Sequence, residues 1–455
     1  MSTPPRTRGA TLARASRSYV AREMILPAQE FIHAERASGL VLLAAAVIGL
    51  LWANSPWRGA YDALWHTEIG FTAGSFSSTH DLRHWVNDAL MVIFFFVVGL
   101  EVKREFADGE LSKPVRAALP MVGALGGMLV PAGLYLAFNP RGEAAHGWGI
   151  PMATDIAFAL GVLGLAGPKV PFSARIFLLA LAAVDDIGAI LVIAVFYTSQ
   201  LSLAALGGAA LILVVILGMR RAGFLSELAY LPLGVLFWFA MLESGVHATI
   251  AGVILGLLAP ARPAYGESHF EASMQPLLDS FRETQVDGDT ERGEAIIGQM
   301  SELVESTEAP VNRLLRFLHP WSSYVVLPVF ALANTGVSLS GGEMQQALSS
   351  PVFLGVLVGL LVGKPVGITA FCWIAVRLGL AERLKGVSWV QLAAIGALAG
   401  IGFTVSLFIT SLAFGEQPAG HAARTGILAA SLAAGVLGYF ALRMASGGSE
   451  TRDRG

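Results

Sequence analysis

Four ionisable residues, Asp155, Asp185, Asp186 and Lys364, sit inside runs that are otherwise apolar. A charge at the centre of a membrane helix costs roughly 2.5–3.5 kcal/mol on insertion scales. Four left unpaired would cost about 10 kcal/mol, as much as the whole stability of a domain. Groups kept at that cost either form ion pairs that fix packing or line an ion or proton pathway. Asp185 and Asp186 are adjacent in LAAVDDIGAI. At 3.6 residues per turn they point about 100° apart. One can face an aqueous funnel while the other meets a neighbouring helix. Burial and a like-charged neighbour both favour a protonated carboxyl. A carboxyl so placed can hold a proton near neutral pH and release it when a cation arrives. Hard cations such as sodium take oxygen ligands; these carboxylates, Thr154 and backbone carbonyls can supply them. Lys364 lies between Gly363 and Pro365. It is too deep to snorkel, so it needs a carboxylate partner, and the pair can break when that carboxylate changes charge.

The elements that must position these groups are membrane helices. Of the 455 residues, 55% are hydrophobic and 14% charged, against about 25% charged in soluble proteins. Apolar windows near 37–53, 85–100, 117–138, 148–166, 174–197, 201–219, 224–242, 244–260, 322–339, 351–376, 388–413 and 422–443 predict twelve spans. Alternating the chain across a bilayer puts most of the thirty Lys and Arg on one side. The other side receives only Arg58, Arg83, Arg141 and Arg424, with Lys364 inside a span. Positive residues mark the cytoplasmic side, so both termini are expected there. Residues 1–33 read as a basic cytoplasmic tail and 447–455 as a second tail, around a transmembrane domain at 34–446. Residues 54–80 form the longest external loop, whose TAGSFSS stretch can turn a hairpin. Residues 261–310 form an acidic cytoplasmic insert, read as solvated and partly disordered, with a short amphipathic helix over Gly293–Glu305. The composition suggests no cofactor and no nucleic-acid partner. The single Cys372 permits no intrachain disulfide.

Two spans carry interruptions. The fourth reads GWGIPMATDIAFALG, where Pro151 removes a backbone donor just before Thr154 and Asp155. The eleventh reads GALAGIGFTVSLF, with Gly396, Gly400 and Gly402 close together. Broken backbone is tolerated at membrane depth where its ends line a polar cavity. Spans three to five and ten to twelve then look like equivalent units. Broken helices leave partial charges at their ends, which Asp155 could offset at N-termini and Lys364 at C-termini.

The motifs PMATDIAFALG, DDIGAI, GLEVKRE, ESGVHATIAGVILG, LHPWSSYVVLP, ANTGVSL, GKPVGI and GIGFTVSLFI occur in order along most of the chain. Together they resemble the bacterial NhaA family of sodium/proton antiporters. Paired interruptions mark transporter binding sites, a rule for which this family is itself a type example. The resemblance implies an all-α membrane fold of twelve helices with two inverted-topology repeats and discontinuous helices four and eleven. It implies Asp186 as the main sodium and proton carboxylate, at the end of a cytoplasmic funnel, with Asp185 as its partner, able to pair with Lys364. Thr154 and Asp155 would lie at the helix crossing. The pH-response region maps to Glu101, Lys103, Arg104 and Glu105 in GLEVKRE, and His247 matches a histidine linked to pH response. Asp88 in WVNDALM matches a further carboxylate. The implied activity is electrogenic exchange of Na+ or Li+ for H+ in the inner membrane of a bacterium. The implied partners are membrane lipid and a second copy of the chain, paired through the 54–80 loop. Where well-studied members carry a glutamate and a histidine before LHPW, this chain has Leu315 and Arg316.

Buried charges also suit a cation channel, a sodium-coupled symporter or an intramembrane aspartyl protease. Channels commonly use rings of charge from symmetric subunits. The protease needs two carboxylates facing each other from separate helices, which adjacent aspartates do not provide. The sequence is therefore read as a transporter and not an enzyme.

Overall fold

The computed structural model describes residues 26–447, apart from 74–75, 168–169, 199–200, 225–226, 264 and 288. The expected basic tail up to residue 25, and the C-terminal tail from residue 448, lie outside the described residues.

The chain is helical and apolar helices dominate it. Helix α1 (Leu26–Ala53) is followed by α2 (Arg58–Trp65), which turns away from it by 114°. Strands β1 (Glu68–Ala73) and β2 (Phe76–Asp81) form an antiparallel hairpin in register from Glu68↔Asp81 to Ala73↔Phe76. Then come α3 (Leu82–Ala107) and α4 (Pro114–Phe138). A 3₁₀ segment (Glu143–Met152) leads through an extended link into α5 (Ile156–Leu165). Next are α6 (Phe172–Phe196), α7 (Leu203–Arg221), α8 (Glu227–Glu243) and α9 (Thr249–Leu258). Helices α10 (Glu267–Asp287) and α11 (Thr290–Thr307) make up the insert. The chain returns through α12 (Pro310–Trp321), α13 (Leu327–Asn334), α14 (Gly341–Ser349) and α15 (Pro351–Arg377). It ends with α16 (Trp389–Ala399), α17 (Phe403–Phe414) and α18 (Pro418–Gly447).

Six helices among the described residues are long and apolar enough to cross a bilayer, and three bent pairs bring the number to nine. Helices α8 and α9 are apolar but shorter. This is a multi-pass membrane protein. The pairs 143–152 with α5 and α16 with α17 are bent by 44° and 46°.

The insert is more ordered than its composition suggested. Instead of one short helix it forms two, packed against each other. Asp289 caps α11 by accepting from the Arg292 amide at 3.0 Å, and Ile296 and Leu303 give that helix a buried face.

Close approach of α4 and α15 sets the depth of Lys364. Gly126 and Gly367 each lie against the other's carbonyl, where any Cβ would collide. Small residues allow such contact where lipid supplies no hydrophobic drive between helices. A π turn at Gly359–Gly363 precedes Lys364. Pro365 has no amide to donate, and the wider turn lets the Lys364 amide reach the Gly359 carbonyl instead. The same device precedes Pro328 at Ser322–Val326.

Candidate functional site

The two bent pairs, 143–152 with α5 and α16 with α17, meet at their extended links. The Asp155 amide donates to the Ile401 carbonyl at 2.6 Å, and the Ser406 hydroxyl donates to the Ile150 carbonyl at 2.7 Å. Gly402 lies where a Cβ would press on the Ala153 carbonyl at 3.1 Å, so a larger residue would force the links apart.

Asp155 serves both half-helices at once. One carboxylate oxygen accepts from the Phe158 amide at 3.1 Å and caps α5. The other accepts from the Thr404 amide at 3.1 Å and its hydroxyl at 2.7 Å, in the first turn of α17. Two positive helix ends thus converge on one anion, which satisfies their orphan amides and the dipoles together.

Lys364 is fully buried. Its Nζ donates to Asp185 Oδ2 at 2.6 Å and to Thr154 Oγ1 at 2.9 Å. Both side chains of the Lys364–Asp185 pair are at 0% exposure, so the pair is held in a dry environment. Thr154 Oγ1 lies 2.7 Å from Asp185 Oδ2 and 2.9 Å from the Ala399 carbonyl. Its one hydrogen serves only one of them at a time. The Thr154 hydroxyl thus links the Lys364 ammonium to the end of α16.

Asp186 points elsewhere. It is 5% exposed and lines the inner end of a cavity of about 360 Å³. Thr154, Asp155 and Thr404 line the same end, and Glu101, Arg104, Glu105 and His319 line the wall towards the helix termini. One oxygen each of Asp185 and Asp186 is buried with no hydrogen-bond partner among the described residues. Buried polar atoms are normally satisfied. Such an orphan oxygen on Asp186, in the cavity that Thr154 also lines, can bind a small hard cation or a proton.

The residues read as pH-responsive do not form one group. Glu101, Arg104 and Glu105 line the funnel wall. Glu101 lies 3.7 Å from His319, and Glu105 accepts from the Glu110 amide at 2.8 Å. His247 and Asp88 are at the opposite end of α3, 3.6 Å from each other. Leu315 is buried among Val97, Leu100 and Val311. Arg316 makes a two-pronged pair with Glu308, at 2.8 and 2.6 Å, where the insert rejoins α12.

Three groups of this kind went unnoticed in the sequence. Thr404 follows the glycines of the eleventh span and His319 stands inside LHPW. Arg83 and Arg424 converge on Glu416 at 2.7 and 3.0 Å.

A helical membrane protein in which two bent, apolar helix pairs meet at buried charges beside a cavity is an ion-transporter architecture. The family model for Na+/H+ antiporter 1 matches residues 29–442, and the chain belongs to that family, as its motifs implied. It is 46% identical over 434 residues to a protein named Na(+)/H(+) antiporter NhaA 2 from Sorangium cellulosum, covering 94% of this chain and 93% of the relative. It is 47% identical over 418 residues to a protein of the same name from Myxococcus xanthus, covering 90% and 87%. It is 44% identical over 438 residues to the Na(+)/H(+) antiporter NhaA of a Janthinobacterium, covering 96% of each.

Proposed function

We propose that this chain exchanges Na+ or Li+ for H+ across a bacterial inner membrane, electrogenically and by alternating access. The observation that carries the reading is Asp186, almost fully buried with an unpartnered oxygen, at the inner end of the funnel. A cation entering the funnel meets this carboxylate first. Binding it displaces protons, because a cation and a proton compete for the same oxygens. Asp185 can turn its unpartnered Oδ1 to the cation while Oδ2 holds Lys364, and the cation's charge then weakens that buried ion pair. Asp186 gives up one proton and Lys364, its pairing with Asp185 weakened, gives up a second, so two protons leave for one cation and the cycle moves net charge. The stitched crossing then tilts, closing the funnel and opening the site to the other face.

Twelve spans in two inverted repeats, with both termini cytoplasmic, and a homodimer joined through the hairpin complete the reading. The funnel mouth then faces the cytoplasm. Glu101, Arg104 and Glu105 on its wall suit a role in pH response. The test is a collapse of a pH gradient in everted vesicles on adding sodium or lithium but not potassium. Asp186→Asn abolishes it; transport that survives in this variant refutes the assigned role.

A further inference from the structure

A second chain of titratable groups runs inward from the face opposite the funnel mouth. Helix α3 begins there, capped by Asp81, whose carboxylate accepts from the His84 amide at 2.7 Å. The His84 ring stacks on that of His80, with centroids 4.1 Å apart and planes 19° apart. His84 Nε2 lies 3.1 Å from Asp88 Oδ2, and Asp88 Oδ1 lies 3.6 Å from His247 Nε2. His247 Nδ1 lies 2.8 Å from the Thr249 hydroxyl. Side-chain exposure falls from 42% at His84 to 14% at Asp88 and 12% at His247. The series therefore leads from water into the protein. Its inner end is in contact with the site's scaffold: the His247 ring packs edge-on against Phe408, 5.2 Å away, one turn beyond Thr404 on α17.

A π turn at Val86–Leu90 shapes this series. The wider turn lets Asn87 accept from Asn334 at 2.8 Å while Asp88 stays beneath His84. Neutral amides thus fill one side, and imidazoles meet the carboxylate on the other.

We propose that His84, Asp88 and His247 form a proton relay from the hairpin face to the Phe408 side of α17. The proposal rests on the antiport reading and adds residues that supply its protons. Water protonates one ring nitrogen of His84, and Nε2 passes a proton to Asp88 Oδ2. The carboxyl rotates, bringing its protonated Oδ2 to the His247 side, and hands the proton to His247 Nε2, and His247 releases one at Nδ1 towards Thr249. One proton moves; both imidazoles are left in the opposite tautomer and must flip or exchange their ring proton before the next transfer. The 3.6 Å step closes by a small side-chain shift or one bridging water. Imidazoles suit this work because their unperturbed pKa lies near neutrality.

Other charged groups nearby are engaged elsewhere. Arg83 pairs with Glu416. Asp81 caps α3 and stands opposite Glu68 in the hairpin. On α2, Asp62 pairs with Arg58 and its carbonyl meets His66. A bare structural pair would hold the helix start without caring which face supplies protons.

The test uses the full chain in vesicles of both orientations, so that pH is varied on one face at a time. His84→Gln should slow sodium-driven exchange several-fold when protons are scarce on the hairpin face. It should leave the dependence on funnel-face pH unchanged. Added imidazole should restore the rate of His84→Ala, and His66→Gln should behave as wild type. Rates are normalised to folded protein measured by gel filtration. Should either His84 variant fail to fold, the other carries the test. Equal slowing at every pH on both faces, no slowing, or no rescue by imidazole overturns the relay while leaving antiport intact. A wild type that exchanges no sodium overturns the antiport reading, and the relay with it.

Discussion

At the scale of single residues, the buried Lys364–Asp185 pair sets the largest energetic stake. Removing one partner leaves the other charge uncompensated in a dry site, a change worth about 3–5 kcal/mol. Lys364→Met should therefore lower the melting temperature of the detergent-solubilised protein sharply. Lys364→Met with Asp185→Asn should recover most of that loss, since two neutral groups need no partner. Recovered melting without recovered exchange would separate the pair's packing role from its transport role. A double variant as unstable as the single one would show that Asp185 is not the charge left stranded.

At the scale of elements, Glu416 joins the end of α17 to the starts of α3 and α18 through Arg83 and Arg424. Burial alone would raise its carboxyl, but Arg424 and then Arg83 outweigh this and hold it down at about 2. A depressed carboxylate stabilises above its unfolded value of about 4.3 and loses that effect as pH falls through the folded value. Glu416→Gln should thus melt earlier than wild type at neutral pH. The gap should stay constant down to about pH 5 and close between there and about pH 2. Because the carboxylate is half exposed, the gap should be modest. Melting curves across pH check this, and a gap that changes between pH 6 and 8 would contradict it. The same elements show what could be read in advance. Asp155, Asp185, Asp186 and Lys364 stood out because charge inside an apolar run is legible in one dimension. Thr404 did not, because a threonine in a helix start becomes meaningful only when Asp155 is known to lie against it, 249 residues away in sequence. His84 was hidden for the same reason, whereas Asp88 and His247 were named through the family motifs but not joined to it. The amphipathic helix expected over Gly293–Glu305 is α11, while α10 was missed, because the insert's many acids suggested a solvated segment.

At the scale of the whole molecule, the proposed exchange requires the cavity that Asp186 lines to admit water from one side. Ala183 lines it, and the only native thiol, Cys372, is fully buried. Ala183→Cys should react with a membrane-impermeant maleimide applied to the funnel face and resist it from the hairpin face. Sodium, by favouring turnover through the opposite opening, should slow that reaction. Equal labelling from both faces would argue for a continuous pore.

The carboxylate shared by α5 and α17 also has a consequence for biogenesis. A ribosome adds about 5–20 residues per second, so the 249 residues between Asp155 and Thr404 take roughly 12–50 s to appear. Throughout that interval Asp155 has only one of its two helix ends to cap. The nascent chain must shelter an incompletely capped acid within the bilayer until Thr404 of the 455-residue chain is made. A ribosome stalled before α17 leaves behind a membrane-embedded acid without its mate, a defect that quality-control proteases can recognise.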